Sequence, residues 1–138
     1  MKEKQNLNES GSFAGKTVAV LGLAFKANTD DIRYSAAINI IELLIKSGAT
    51  INAYDPQATE NMKQLFPDIN YCSSALQAVT DADACIIVTE WDEFKTLDLQ
   101  EVASVMNHKI LIDARGIIDE TQLQQLGFAY DVIGKRFV

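Results

Sequence analysis

Residues 17–22, Thr-Val-Ala-Val-Leu-Gly, are β-branched and apolar on both faces, a pattern that suits a central strand covered by helices on both sides. After a loop, Ala36, Ala37, Ile40, Ile41, Leu44 and Ile45 recur at steps of one, three and four. They predict a helix over residues 35–46 with a single apolar stripe against the sheet, stopped by Gly48 in a left-handed conformation. Residues 50–54 form a second strand, closed by Asp55-Pro56. Three later segments carry a capping side chain followed three residues on by Glu or Gln: Ser74 with Gln77, Asp98 with Glu101, and Asp119 with Gln122. Each predicts a helix start. Short runs at 84–88 and 109–112, a weaker one at 69–72 and a last one at 129–133 complete the strands. Strands and helices laid down in turn predict an α/β fold: a three-layer, Rossmann-like sandwich around a mostly parallel sheet of about six strands, joined by right-handed crossovers.

A chain of 138 residues buries roughly two-thirds of its unfolded surface in one core, so a single domain over residues 15–138 is expected. Residues 1–14, polar and ending in Ser-Gly-Ser-Phe-Ala, read as a tail or linker. Twelve Lys and Arg against nineteen Asp and Glu leave a net charge of −7, a field that repels nucleic acid and anionic membranes. The longest apolar runs are about half of the ~20 residues that span a bilayer, and the polar opening has no secretory apolar stretch. The expectation is a soluble, cytoplasmic protein. Cys72 and Cys85 form no CxxC pair and His108 is the sole histidine, so no metal cluster is expected. Both cysteines read as buried thiols and His108 as a surface residue.

In an open parallel sheet, ligands bind where loops leave the carboxyl ends of the strands. The first such loop, residues 22–33, is twelve residues long, where two to six would close the turn. Ala24 stands where a GxGxxG fingerprint needs its second glycine, so a dinucleotide cradle is disfavoured at this turn. The loop carries Lys26 and Arg33 beside a helix N-terminus, which together suit a diphosphate. The alternative has Lys26 solvated and Arg33 paired with Asp30 or Asp31, acids expected to cap the helix or orient Arg33. At another strand end stands Arg115, whose fork could grip a phosphate or pair with Asp113 or Asp92. Trp91 and Phe94 could line the site or pack the top of the sheet. Asp55 sits where dinucleotide folds hold a ribose, yet beside Pro56 it reads equally as a turn residue.

Four motifs now carry a resemblance: the run from Gly22 to Ser35, then Tyr54-Asp55-Pro56, Thr89-Glu90-Trp91-Asp92-Glu93-Phe94 and Asp113-Ala114-Arg115. In this order they resemble the C-terminal, UDP-binding domain of the UDP-glucose 6-dehydrogenases, within the UDP-glucose/GDP-mannose dehydrogenase family, from about Gly15 to the C-terminus. The resemblance implies an enzyme that oxidises UDP-glucose to UDP-glucuronate in two steps with two NAD⁺. An N-terminal domain would bind NAD and supply the cysteine nucleophile. Phe25 and Lys26 would contact the nucleotide sugar, Arg115 would hold the substrate, and Arg33 would reach the pyrophosphate of NAD. Ala27 and Ala36 depart from the family's usual prolines, which relaxes the loop without removing a contact.

The chain shows neither a glycine-rich NAD fingerprint nor a family-type nucleophile motif, and is expected to be inactive alone. A non-catalytic nucleotide-sugar-binding module and a dimerisation domain are the alternatives, and a homo-oligomer is possible under either. The motif from Thr89 to Phe94, with Trp91 after the acidic position, resembles that of the UDP-glucose branch, and the resemblance ranks UDP-glucose ahead of UDP-N-acetylhexosamines and GDP-mannose.

Overall fold

The computed structural model describes residues 14–132. Six strands run in parallel in the order β3-β2-β1-β4-β5-β6: β1 Thr17–Leu21, β2 Thr50–Tyr54, β3 Asn70–Tyr71, β4 Ala84–Ile87, β5 Ile110–Asp113 and β6 Ala129–Val132. The expected mostly parallel sheet is therefore parallel throughout. Val18 to Leu21 of β1 are all buried although their side chains alternate between the two faces, so both faces of the sheet are covered. The last predicted strand reaches Val132, and Ile133 and residues 1–13 of the tail predicted at 1–14 lie outside the described residues. Among the described residues no helix is long and apolar enough to cross a membrane.

Helix α1, Ala36–Lys46, starts where Ser35 Oγ accepts a hydrogen bond from the Ala37 N–H at 3.1 Å. It ends at Gly48, φ +84°, with the Gly48 N–H on the Ile45 carbonyl and the Ala49 N–H on the Leu44 carbonyl, which satisfies the final carbonyls of the helix. The covered stripe is narrower than expected. Ala37, Ile41 and Leu44 are buried, whereas Ala36 and Ile45 are exposed, because one further residue turns the side chain about 100° off the packed face.

The predicted caps are present, one of them with a different partner. Ser74 Oγ accepts from the Gln77 N–H before α3, Ala75–Val79, and Asp98 from the Glu101 N–H before α5, Leu99–Val105. Asp119 accepts from the Thr121 N–H, not the Gln122 N–H, before α6, Glu120–Gln125. Helices α2, Thr59–Leu65, and α4, Asp92–Lys95, begin at Ala58 and Trp91 without a side-chain cap bond, so they lack the sequence signature that revealed the others.

Strand order reverses between β1 and β4: β2 and β3 lie to one side of β1, and the chain then crosses to build β4, β5 and β6 on the other. The crevice at this reversal, above the carboxyl ends of the strands, is where such sheets bind ligands.

Candidate functional site

Asp55, at the end of β2 and 4% exposed, organises the mouth of this crevice. Its Oδ2 accepts hydrogen bonds from the Leu23 N–H (2.7 Å), the Ala24 N–H (3.0 Å) and the Trp91 indole Nε1–H (3.0 Å). Its Oδ1 accepts from the Gln57 and Ala58 N–H groups, each at 2.8 Å. One carboxylate thus ties together the loops after β1, β2 and β4. Buried charge is tolerated because every donor aims at it. This decides between the two readings of Asp55: its oxygens are occupied by backbone and indole donors, and the Leu23 and Ala24 amides that would cradle a pyrophosphate are turned to it. The turn after β1 does not fit a dinucleotide.

Trp91 is buried and Phe94 fully so. Both pack the top of the sheet, and the indole N–H has the positioning task just described. The Thr89 hydroxyl donates to the Ala24 carbonyl at 2.7 Å, a second tie between the loops after β1 and β4. Gly22 makes that approach possible. Its φ is +103°, and a Cβ there would lie 2.5 Å from Thr89 Oγ1 and 2.6 Å from the Thr89 nitrogen.

Phe25 and Lys26 follow the Ala24 anchor directly. Phe25 is exposed and the Lys26 ammonium sits over its ring, 5.4 Å from the centroid. Further along the loop, the Phe25 N–H donates to the Asp31 carbonyl and the Asn61 amide to the Asp30 carbonyl.

Arg33 pairs with Asp31, as one of the sequence readings allowed. Its Nε lies 3.0 Å from Oδ1 and its terminal nitrogen 2.6 Å from Oδ2, with the Arg33 side chain 81% exposed. The hydrogen-bonded guanidinium holds the Asp31 carboxyl down to about 2, and the carboxylate raises the Arg33 guanidinium in turn. Neither acid caps α1. Ser35 does so, and Tyr34, at φ +61°, turns the chain into that cap. Arg33 lines an open hollow of about 450 Å³ with Thr29, Asp30, Asn61 and Gln64, beside α2.

Arg115 pairs with neither Asp113 nor Asp92. Its guanidinium is 2.8 Å from Glu90 Oε1, the residue after Thr89. Asp113, fully buried, instead accepts from the Arg115, Gly116 and Ile118 backbone N–H groups and shapes the loop after β5. Phe25, Lys26 and Arg115 are therefore all tethered to the Thr89–Glu90 corner, while Arg33 stands in the separate hollow.

Glu90 is the functional candidate that sequence reasoning missed. The signal lay in the register: Ile87 of β4 faces Asp113 of β5, so the residues just beyond each meet above the sheet. Beside them the Tyr54 hydroxyl donates to Glu93 Oε2 at 2.8 Å, and burial together with this carboxylate pushes the phenol up to about 12. Burial also raises both thiols, Cys85 to about 12, which leaves them protonated and poorly nucleophilic. His108 is an exposed residue whose Nδ1 lies 3.1 Å from Asp83 Oδ1.

A parallel sheet of order 3-2-1-4-5-6 with helices on both faces and no glycine fingerprint in the turn after β1 defines a Rossmann-like α/β domain. The chain belongs to the UDP-glucose/GDP-mannose dehydrogenase family, whose UDP binding domain matches residues 19–120. It is 51% identical over 112 residues to the UDP-glucose 6-dehydrogenase AglM of Haloferax volcanii, covering 81% of this chain and 26% of that protein. With the UDP-glucose 6-dehydrogenase of Rhizobium meliloti it shares 39% identity over 125 residues, 91% of this chain and 29% of that protein. Among solved structures, it resembles a UDP-glucose dehydrogenase from Pyrobaculum islandicum with a TM-score of 0.76 and 30% identity, over 94% of this chain and 28% of that one. The chain thus spans under a third of the length of these relatives.

Proposed function

We propose that this domain supplies the nucleotide-sugar-binding half of an NAD-dependent UDP-glucose 6-dehydrogenase. The observation that carries the reading is the shared anchoring of two cationic groups at the crevice: Arg115 on Glu90, and the Phe25–Lys26 pair through the Ala24 carbonyl on Thr89. Lys26 and Arg115 supply the positive charge that a diphosphate needs in a chain of net charge −7. Phe25 offers an exposed ring to the nucleotide sugar.

NAD⁺ supplies the hydride acceptor in such enzymes. The turn after β1 does not fit it, so an N-terminal domain outside this chain would hold it and provide the nucleophile. Arg33, exposed on the far side of its Asp31 partner, would reach the cofactor's pyrophosphate from the hollow beside α2. The proposed working form is this domain, as a separate chain or as part of a longer one, together with that partner domain in the cytoplasm. Residues 1–14 would serve as tail or linker to the domain at 15–138.

The test is absorbance at the NADH band. The isolated chain should give no NADH from UDP-glucose and NAD⁺. Fusion to the N-terminal domain of a relative should restore turnover, with kcat/KM highest for UDP-glucose, then UDP-N-acetylhexosamines, then GDP-mannose. Fusion that binds UDP-glucose without turnover would favour a non-catalytic module instead.

A further inference from the structure

We infer that Glu90 is a positioning residue for Arg115, holding its guanidinium ready for a diphosphate. The inference rests on the proposed nucleotide-sugar site. Glu90 Oε1 is shut off from solvent and lies 2.8 Å from the Arg115 guanidinium, an ion pair that falls short of a directed hydrogen bond. A buried carboxylate oxygen without a hydrogen bond is costly, and the guanidinium compensates it.

Both ends of the pair are fixed. Thr89 and Trp91, on either side of Glu90, are buried and bonded to the Ala24 carbonyl and Asp55. The Arg115 N–H is bound to Asp113, itself fully buried, and β4 and β5 are hydrogen-bonded neighbours. The pair therefore spans two rigid strand ends. The Arg115 side chain remains 40% exposed, so part of its fork still faces outward. Lys26, by contrast, is exposed and rests on the Phe25 ring. Arg115 is the pre-oriented cation of the two. A long side chain already held in place loses less conformational freedom when a ligand arrives.

The geometry separates holding from competition. If Glu90 merely competed with the ligand for Arg115, removing its charge would tighten binding. If it holds the fork, removing the carboxylate's charge weakens binding, whether the residue left behind is apolar or an amide of the same shape.

UDP is titrated by NMR into the 138-residue chain. Glu90→Ala and Glu90→Gln should each weaken UDP about five- to tenfold relative to the unsubstituted chain. In an Arg115→Ala background, Glu90→Ala should add less than about twofold. Tightening by both Glu90 variants, or a Glu90→Ala loss that persists without Arg115, overturns the inference and leaves the proposed site standing. A neutral Arg115→Ala, or no UDP binding by the unsubstituted chain, overturns the site and the inference with it. Independently of whether Glu90→Ala folds, the Arg115 Nε–H resonance, assigned through Arg115→Lys, should be dispersed and rigid without UDP. A resonance with free-arginine shift and mobility overturns the inference.

Discussion

Trp91 donates its indole N–H to Asp55 Oδ2 at 3.0 Å, the same oxygen that receives the Leu23 and Ala24 amides. A tryptophan from the loop after β4 and an acid from the end of β2 thereby fix the turn after β1, on which Phe25 and Lys26 are mounted. Where a dinucleotide fold would leave the acid free for a ribose, this chain uses it to tie its own loops together.

Trp91→Phe keeps the packing and removes one of the five donors around Asp55. It should cost about 1–2 kcal/mol of stability. Asp55→Asn places an N–H₂ group among N–H donors and should cost about 3 kcal/mol or more. Urea denaturation of the two variants checks this. Equal stabilities would remove Asp55 from its organising role.

Gly22→Ala should destabilise by at least about 2–3 kcal/mol, because φ is +103° and the new Cβ would lie 2.6 Å from the Thr89 nitrogen. Since that contact is backbone, adding Thr89→Ala should not rescue it. Thermal melts of the single and double variants decide the point. Rescue by Thr89→Ala would place the conflict in the hydroxyl alone.

Asp31 should titrate near 2, against an ordinary value of 3.8, because Arg33 stabilises its charged form. The folded value is depressed, so the stabilisation it brings is present above about 3.8 and fades as pH falls through about 2. A ¹³C titration of the Asp31 carboxyl measures it. In Arg33→Ala the midpoint should return towards 3.8. A midpoint unchanged by that substitution would mean that the pair does not persist in solution.

The sheet was legible where one residue type dominates a period. The apolar run of β1, the 37-41-44 stripe of α1 and the caps Ser74, Asp98 and Asp119 each declare themselves locally. What periodicity does not carry is which strand ends become neighbours. Glu90 meets Arg115 because β4 pairs with β5, and Asp55 meets Trp91 because the strand order brings their loops together. For the same reason α2 stayed unseen. The turn before it is organised by the Asp55 carboxylate through the Gln57 and Ala58 amides, with no capping side chain at Ala58. Arg33 was placed on the right loop, but its carboxylate partner could be fixed as Asp31 only by the fold.

In the proposed site Lys26 and Arg115 hold one diphosphate and Arg33 stands outside it. The direct test is titration calorimetry of UDP into the chain and three variants. The unsubstituted chain should bind at ~10 µM to ~1 mM, since half of the enzyme's cleft is missing. Lys26→Ala and Arg115→Ala should each cost about 1.5–3 kcal/mol, as expected for a lost charge-assisted contact. Arg33→Ala should leave the affinity within about twofold. Equal affinities across all four proteins, or a loss confined to Arg33→Ala, would leave Lys26 and Arg115 as solvated surface residues and not a diphosphate site.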